Sequence, residues 1–446
     1  MSTTAMSDRE NVIKALEDQL AKTSRGQRPH EHAALAYRLG LAYAESTGTG
    51  QDGLRRALTH FDTAATIFDA RFDPVEHARV LNAAGAAHRG LGNRKKAAEL
   101  FETAATLFEG KEEREAELAA ALNNLGLVRS EQGQFDGAVE AFERAVDLFD
   151  TGTAEGRRGR IATLLNRGQA HAATGTAEGL ELALADFSEA IGEIDMDEAP
   201  LHFAMVQHSM GTALSALANQ MPDERERLLQ DAVAAFKESL FVFRRDTFTY
   251  QFALAKHNLG LAYVGLGGPV NLRRALASFE DTVSMLDTRV HGDAWRQAYA
   301  SLERTENDLK VQFPGLRRVD HFVGLLSQIK ADERHALLRE RVFHLMALSE
   351  PQRTQFLIEL DLAMALLGPE KARPIMEDEL SIVIEFPNER MELALNARYQ
   401  AHRAIEDEEA RLAADTALDL AIGEALGGPQ RVLTRDHLGS LGWERP

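Results

Sequence analysis

One arrangement of apolar and small residues recurs six times along the first two thirds of the chain. A residue, in most copies apolar, precedes a Gly. An Ala follows twelve or more positions later, then Phe at +4 and a small residue at +7. The copies read Leu39-Gly40, Ala57, Phe61, Ala64, then Ala84-Gly85, Ala97, Phe101, Ala104, then Leu125-Gly126, Ala138, Phe142, Ala145. The fourth reads Arg167-Gly168, Ala183, Phe187, Ala190, the fifth Met210-Gly211, Ala232, Phe236, Ser239, and the sixth Leu259-Gly260, Ala275, Phe279, Thr282. The six glycines are spaced 45, 41, 42, 43 and 49 apart. Gly inside a helix costs about 1 kcal/mol against Ala, so six of them require a packing reason. The pattern predicts helical hairpins, in which Gly and the facing Ala let two helices approach and Phe fills the wedge between hairpins. Burying such a ring contributes roughly 1.5–3 kcal/mol. One hairpin cannot cover its own apolar face, so the hairpins must stack into a solenoid.

The flanks predict further helices. Ser7 with Glu10 spells a capping box for a helix over residues 8–23, which closes the first end of the stack. Trp295 to Val311 reads as an amphipathic helix at the other end, stopped by Pro314-Gly315. Beyond it the repeat signature is lost. Ser349 with Gln352 caps a helix to Leu367, ended by Gly368-Pro369. Asn388 opens another to about Ile405, and a last one runs from Glu408 to Leu426 and stops at Gly427-Gly428. The organisation is therefore a capping helix in 1–31, a superhelix in 32–290, a second capping helix in 291–314, a helical domain of four or five helices in 315–428, and a tail in 429–446. Trp443 in that tail either docks on another protein or folds back on its own domain. The fold class is all-α: an α-solenoid of about six hairpins followed by a C-terminal helical domain.

Segments such as Ala121-Leu122-Asn123-Asn124-Leu125-Gly126 followed by Gln134-Phe135-Asp136-Gly137-Ala138 resemble the tetratricopeptide repeat. The spacing resembles the longer repeats of kinesin-light-chain-like members of that family. The second and third copies fit best. The fifth fits least, with an insert around Asn219 to Arg227. The resemblance implies that the first helix of each hairpin lines a concave surface that binds an extended peptide. Three residues before each glycine, that register places Tyr37, Asn82, Asn123, Leu165, His208 and His257 on the groove. Arg79 and Arg89 add positive charge that would meet an acidic residue of the ligand. Asn can donate to and accept from a peptide backbone at once. The alternative is that these groups are solvated or bond to one another within the stack. The full basic set of the subfamily that grips chaperone C-termini is missing, so that ligand is not expected.

Composition narrows the chemistry. Ala, Leu, Glu and Arg dominate, which favours helix over sheet. Fifty Lys and Arg against 69 Asp and Glu give a net charge of −19, and the portions before and after residue 315 are both acidic. That argues against a sequence-independent grip on nucleic acid. With no cysteine in the chain, disulfides and thiolate chemistry are excluded, and a cytoplasmic location is expected. The polar first ten residues carry no signal peptide, and no run reaches the roughly 20 apolar residues of a membrane span.

Gly48-Thr49-Gly50-Gln51-Asp52-Gly53 spells the dinucleotide fingerprint, but it lies between two helices with no strand before it and reads as a loop. His30 with His32, His202 with His208, and Glu340 with His344 all lack a third ligand on one face. The runs Glu377-Asp378-Glu379 and Glu406 to Glu409 read as solvated helix ends. No catalytic motif appears, and neither metal nor cofactor is expected. The expected function is a non-enzymatic scaffold or adaptor that binds a protein or peptide partner in the groove, with the C-terminal helices as a second contact or a homo-oligomer surface. An assembly factor for a multi-subunit enzyme and a peptide-responsive regulator are the alternatives.

Overall fold

The computed structural model describes residues 3–45, 50–111 and 113–444. All regular structure among them is helical. By compactness the chain divides into two units, Met1–Ala255 and Lys256–Pro446.

The first unit opens with α1 (Thr3–Lys22) and continues as five antiparallel pairs. These are α2 (Pro29–Ala44) with α3 (Gly50–Ala65), α4 (Pro74–Gly90) with α5 (Arg94–Phe108), α6 (Glu115–Glu131) with α7 (Phe135–Val146), α8 (Ala154–Ala173) with α9 (Ala177–Glu193), and α10 (Pro200–Ala218) with α11 (Arg225–Val242). Helix α1 begins before Ser7, so Ser7 lies inside it and does not cap it. The fingerprint-like loop over 46–49 lies outside the described residues, and its last two glycines belong to the first turn of α3.

Local chemistry sets the hairpin ends. Pro at the first helical turn starts α2, α4 and α10, where its missing N–H costs nothing. Thr153 and Thr176 cap α8 and α9 by accepting from Gly156 N and Gly179 N at 3.0 Å. Gly92 and Gly133, at φ +79° and +75°, make the tight reversals inside the second and third hairpins. The insert of the fifth hairpin resolves into a single 3₁₀ turn, Pro222–Glu224, which absorbs its longer spacing.

The six-fold pattern has a sharper physical basis than the sequence suggested. A Cβ built on Gly126 would lie 2.6–2.7 Å from the Phe142 ring of the same hairpin. Gly40 meets Phe61 at 2.5 Å, Gly85 meets Phe101 at 2.7 Å, Gly168 meets Phe187 at 2.5 Å and Gly211 meets Phe236 at 2.8 Å. The Phe packs towards the next hairpin, as Phe101 does with Leu125 and Val128 and Phe142 with Ala170, and it also meets the Gly of its own hairpin. It seats its ring edge on the bare backbone of the Gly across its own hairpin, and all these rings are fully buried. The fourth copy departs from the pattern at Arg167, and the departure is balanced. Arg167 donates to Asp186 at 2.6 and 3.0 Å, one residue before the seated Phe187.

Helix α12 (Thr249–Leu266) carries the division between units. The second unit continues with α13 (Gly268–Met285), α14 (Gly292–Gln312), α15 (Arg318–Leu326), α16 (Ala331–Ala347), α17 (Glu350–Leu367), α18 (Pro369–Ile384), α19 (Asn388–Ala404), α20 (Glu408–Ala425) and α21 (Gly428–Ser440). It keeps the sixth Gly–Phe pair, Gly260 against Phe279 at 2.5 Å. The remainder surrounds one apolar core drawn from α15 to α21.

The Ser349–Gln352 capping box is present, and Gly368, Ala404 and Gly427 mark the helix ends near the predicted positions. The span 315–428 holds six helices, α15 to α20, where four or five were expected; α15, α16 and α18 had not been placed, and α21 lies in the expected tail. The tail is mostly α21, and Trp443 folds back: it packs on the core and donates from Nε1 to Asp415 at 3.0 Å. No described helix is long and apolar enough to cross a membrane.

Candidate protein-binding groove

In the first unit, successive first helices (α2, α4, α6, α8, α10) touch one another, whereas successive second helices do not come as close. A stack closer on one side curves towards that side. The first helices therefore line the concave face of this unit, as the repeat register implied.

Side chains on that face bridge neighbouring hairpins in a polar ladder. Asn124 Nδ2 donates to Asn82 Oδ1 at 3.1 Å. Asn123 Oδ1 accepts from Asn166 Nδ2 at 3.0 Å and from the Thr163 hydroxyl at 3.2 Å. Gln169 Nε2 reaches Ser209 Oγ at 3.1 Å. The asparagines thus spend their carbonyls between hairpins, while the Nδ2 groups of Asn82 and Asn123 have no protein acceptor among the described residues.

The other expected groove residues divide. Tyr37 is half-buried with its ring 6.0 Å from Phe61; burial pushes its hydroxyl up, and nearby Arg79 offsets only part of this. His208 lies edge-on to Phe236 at 5.6 Å. In the second unit His257 lies 5.5 Å from Phe279 and 3.4 Å from Ser301 Oγ. Burial lowers both histidines below their ordinary range, so each is a neutral imidazole at neutral pH. Leu165 is 2 % exposed and belongs to the core, not to the binding surface.

The arginines do not offer the charge expected of them. Arg79 donates to Glu117 at 2.5 and 3.1 Å and lies 3.6 Å from Glu76. Arg89 meets Glu131 at 2.7 Å, and Arg94 meets the same carboxylate at 3.1 Å. Both groove arginines are thus spent on acids of the next hairpin. Sequence reasoning missed the exposed small or apolar side chains on the first helices, Ala34 on α2, Ala86 on α4 and Met205 on α10. The one signal for them was the repeat register itself, one position after or six before each Gly.

The candidate ligand pairs are elsewhere. Glu340 is bonded to Lys256 at 2.5 Å. His30 faces Asp73 at 3.2 Å. His202 is half-buried, and burial and Arg158 lower its pKa. No group of three or more His, Cys, Asp or Glu is set to hold a metal among the described residues.

The repeated helix pair, with Phe seated on Gly and first helices stacked side by side, defines an α-solenoid of helical hairpins. The tetratricopeptide repeat family matches residues 119–151, the third hairpin, so this segment is a tetratricopeptide repeat. Among solved structures it is similar to the C-terminal part of a TPR repeat-containing protein from Cytophaga hutchinsonii, at 14% identity over 66% of this chain and 95% of that one, TM-score 0.42. It is similar to the TPR-like repeats of a putative kinesin light chain from Podospora anserina, at 18% identity over 46% and 98%, TM-score 0.36. Aspartyl phosphate phosphatase F from Bacillus subtilis is similar at 12% identity over 67% and 80%, TM-score 0.39. No curated protein matches the sequence.

Proposed function

We propose that the concave face of the first unit captures an extended segment of a protein partner, and that the chain acts as a non-enzymatic scaffold or adaptor. The polar ladder carries this reading. It fixes Asn82 and Asn123 through their carbonyls and holds their amide donors on a half-buried surface, where a peptide carbonyl would complete them. Ala86, exposed on the helix of Asn82, is small, and Arg79 and Arg89 are paired with acids. The segment that fits is therefore neutral and apolar with a free backbone edge, not acidic. The net negative charge supports a protein partner over nucleic acid, and the absence of cysteine supports a cytoplasmic site of action.

Native co-purification with mass spectrometry identifies the partner, and a substitution then tests the groove. Asn82→Asp with Asn123→Asp keeps both acceptors of the ladder and removes both donors. Capture is expected to weaken at least about tenfold, the equivalent of roughly 1.4 kcal/mol, with thermal stability little changed. Full capture by the double variant would sink the reading. A transient complex with unassembled subunits, instead of a stable stoichiometric one, would turn it towards an assembly role.

A further inference from the structure

We propose that Arg273 and His321, in the second unit, form a binding site for a single carboxylate, supplied by an acidic side chain or chain terminus of a protein ligand or by a free small acid. Arg273 stands on α13, the second helix of the sixth hairpin, and is 8% exposed. Every other buried arginine or lysine of this unit is paired or hydrogen-bonded. Lys256 meets Asp281 and Glu340, Arg398 meets Asp361 and Glu379, and Arg353 donates to the carbonyls that end α16. Arg273 has no carboxylate within 4.0 Å and no hydrogen bond among the described residues, and its Nε is buried without a partner.

The guanidinium is held in place without being satisfied. Its Cζ lies 4.8 Å from the centre of the Phe313 ring. Gly324 of α15 presses on it so closely that a Cβ there would lie 3.1 Å from Nη1 and 3.2 Å from Cζ. Neither Phe313 nor Gly324 accepts a hydrogen bond from the guanidinium, so its donors are left for a ligand. Beside it His321 is 1% exposed, its ring edge-on to Phe313 at 6.1 Å, and neither ring nitrogen has a partner.

A buried cation and a buried imidazole, both unpaired, are costly unless a ligand completes them. The neighbouring charges are already spent: Arg317 on Asp320 at 2.9 Å, Arg318 on Glu306 at 2.5 Å, and Lys310 on Glu306 at 2.9 Å. Glu306 answers two cations, so the cluster is positive by two, and Arg273 is the cation in it with no carboxylate in reach; it offers one planar fork beside the N–H donor of a neutral His321. Burial, with Arg273 beside it, holds His321 below its ordinary range. One planar carboxylate, with two oxygens in one plane, matches the fork and can also accept from the imidazole.

The test uses the full chain labelled with ¹³C at histidine Cε1, the His321 signal being assigned by its loss in His321→Gln. Sodium acetate, sodium phosphate and sodium chloride are titrated at matched ionic strength. Acetate is expected to shift the His321 signal saturably and to raise its titration midpoint, because a bound anion favours the imidazolium. Chloride should give only a weak, non-saturating drift, and phosphate a weaker response than acetate. Arg273→Met should abolish the acetate response, and Arg273→Lys, which keeps the charge but loses the fork, should weaken it by about tenfold or more. An acetate response equal to that of chloride, or one unchanged in the arginine variants, overturns the site. Tighter binding of phosphate overturns the carboxylate assignment. Should Arg273→Met fail to fold, the anion series on the native chain and on Arg273→Lys decides the question.

Discussion

At the scale of single residues the fold depends on six places where a hydrogen stands in for a methyl group. Gly→Ala inside a helix would ordinarily stabilise by about 1 kcal/mol. At Gly126 the added Cβ meets three atoms of the Phe142 ring at 2.6–2.7 Å, and that ring is 0% exposed and cannot retreat. Overpacking then outweighs propensity, and Gly126→Ala is expected to destabilise by about 1–3 kcal/mol in chemical denaturation. Shortening the partner should relieve the clash, so Phe142→Leu should cost less when combined with Gly126→Ala than in the native chain, a coupling that a double-mutant cycle reads directly. A stabilised Gly126→Ala would show that the seat is not tight. The spacing of these residues was plain in the sequence. Which residue faced the glycine was not, because Ala and Phe recur with the same period and only packing tells them apart. Arg273 left no sequence signal at all, since burial without a counter-charge is a property of its surroundings.

Helices of the second unit are tied together by buried ions, and these set a pH dependence. Arg398 and His402 of α19 face Asp361 of α17, Arg398 also meets Glu379 of α18, and His402 Nδ1 lies 2.8 Å from Asp415 of α20, which accepts from Trp443. Burial alone would lower the His402 pKa, but the Asp361 carboxylate 3.2 Å away, with Asp415, outweighs it and holds the imidazole above its ordinary value. A group raised in the folded state contributes stability below its unfolded pKa, about 6.5, and loses it as pH rises through the folded value. Asp361 works in the opposite sense. Burial would raise it, but Arg398 and His402 hold it below the ordinary carboxylate range, so its contribution fades only at strongly acid pH.

Denaturant midpoints of the second unit should therefore fall as pH is raised from about 6.5 through the elevated His402 value. His402→Gln should flatten that slope, and an unchanged slope would contradict the assignment. The helices joined here were unequally visible in sequence. Caps announced α17, and Gly stops announced the ends of α17 and α20. Helix α15 is nine residues long, with seven of them buried, and so shows no amphipathic stripe. Helix α18 carries Pro374 inside it and reads as broken.

The period of the repeat was the most legible property of the whole chain because every copy must solve the same packing problem against its neighbours. That logic makes the first unit a one-dimensional array, in which each hairpin is stabilised by itself and by the two beside it. A lesion should then spread by contact, not uniformly. Gly126→Ala weakens the third hairpin, whose ladder bonds run from Asn82 on α4 through Asn123 and Asn124 on α6 to Asn166 on α8. Hydrogen exchange in this variant should rise most in α6 and α7, next in α4, α5, α8 and α9, and least in α2 and α3. An equal loss of protection from α2 to α11 would mean that the unit opens as one cooperative block. In that case partner capture on the concave face could not be confined to a few hairpins, and the asparagine donors would have to act through the stability of the whole stack.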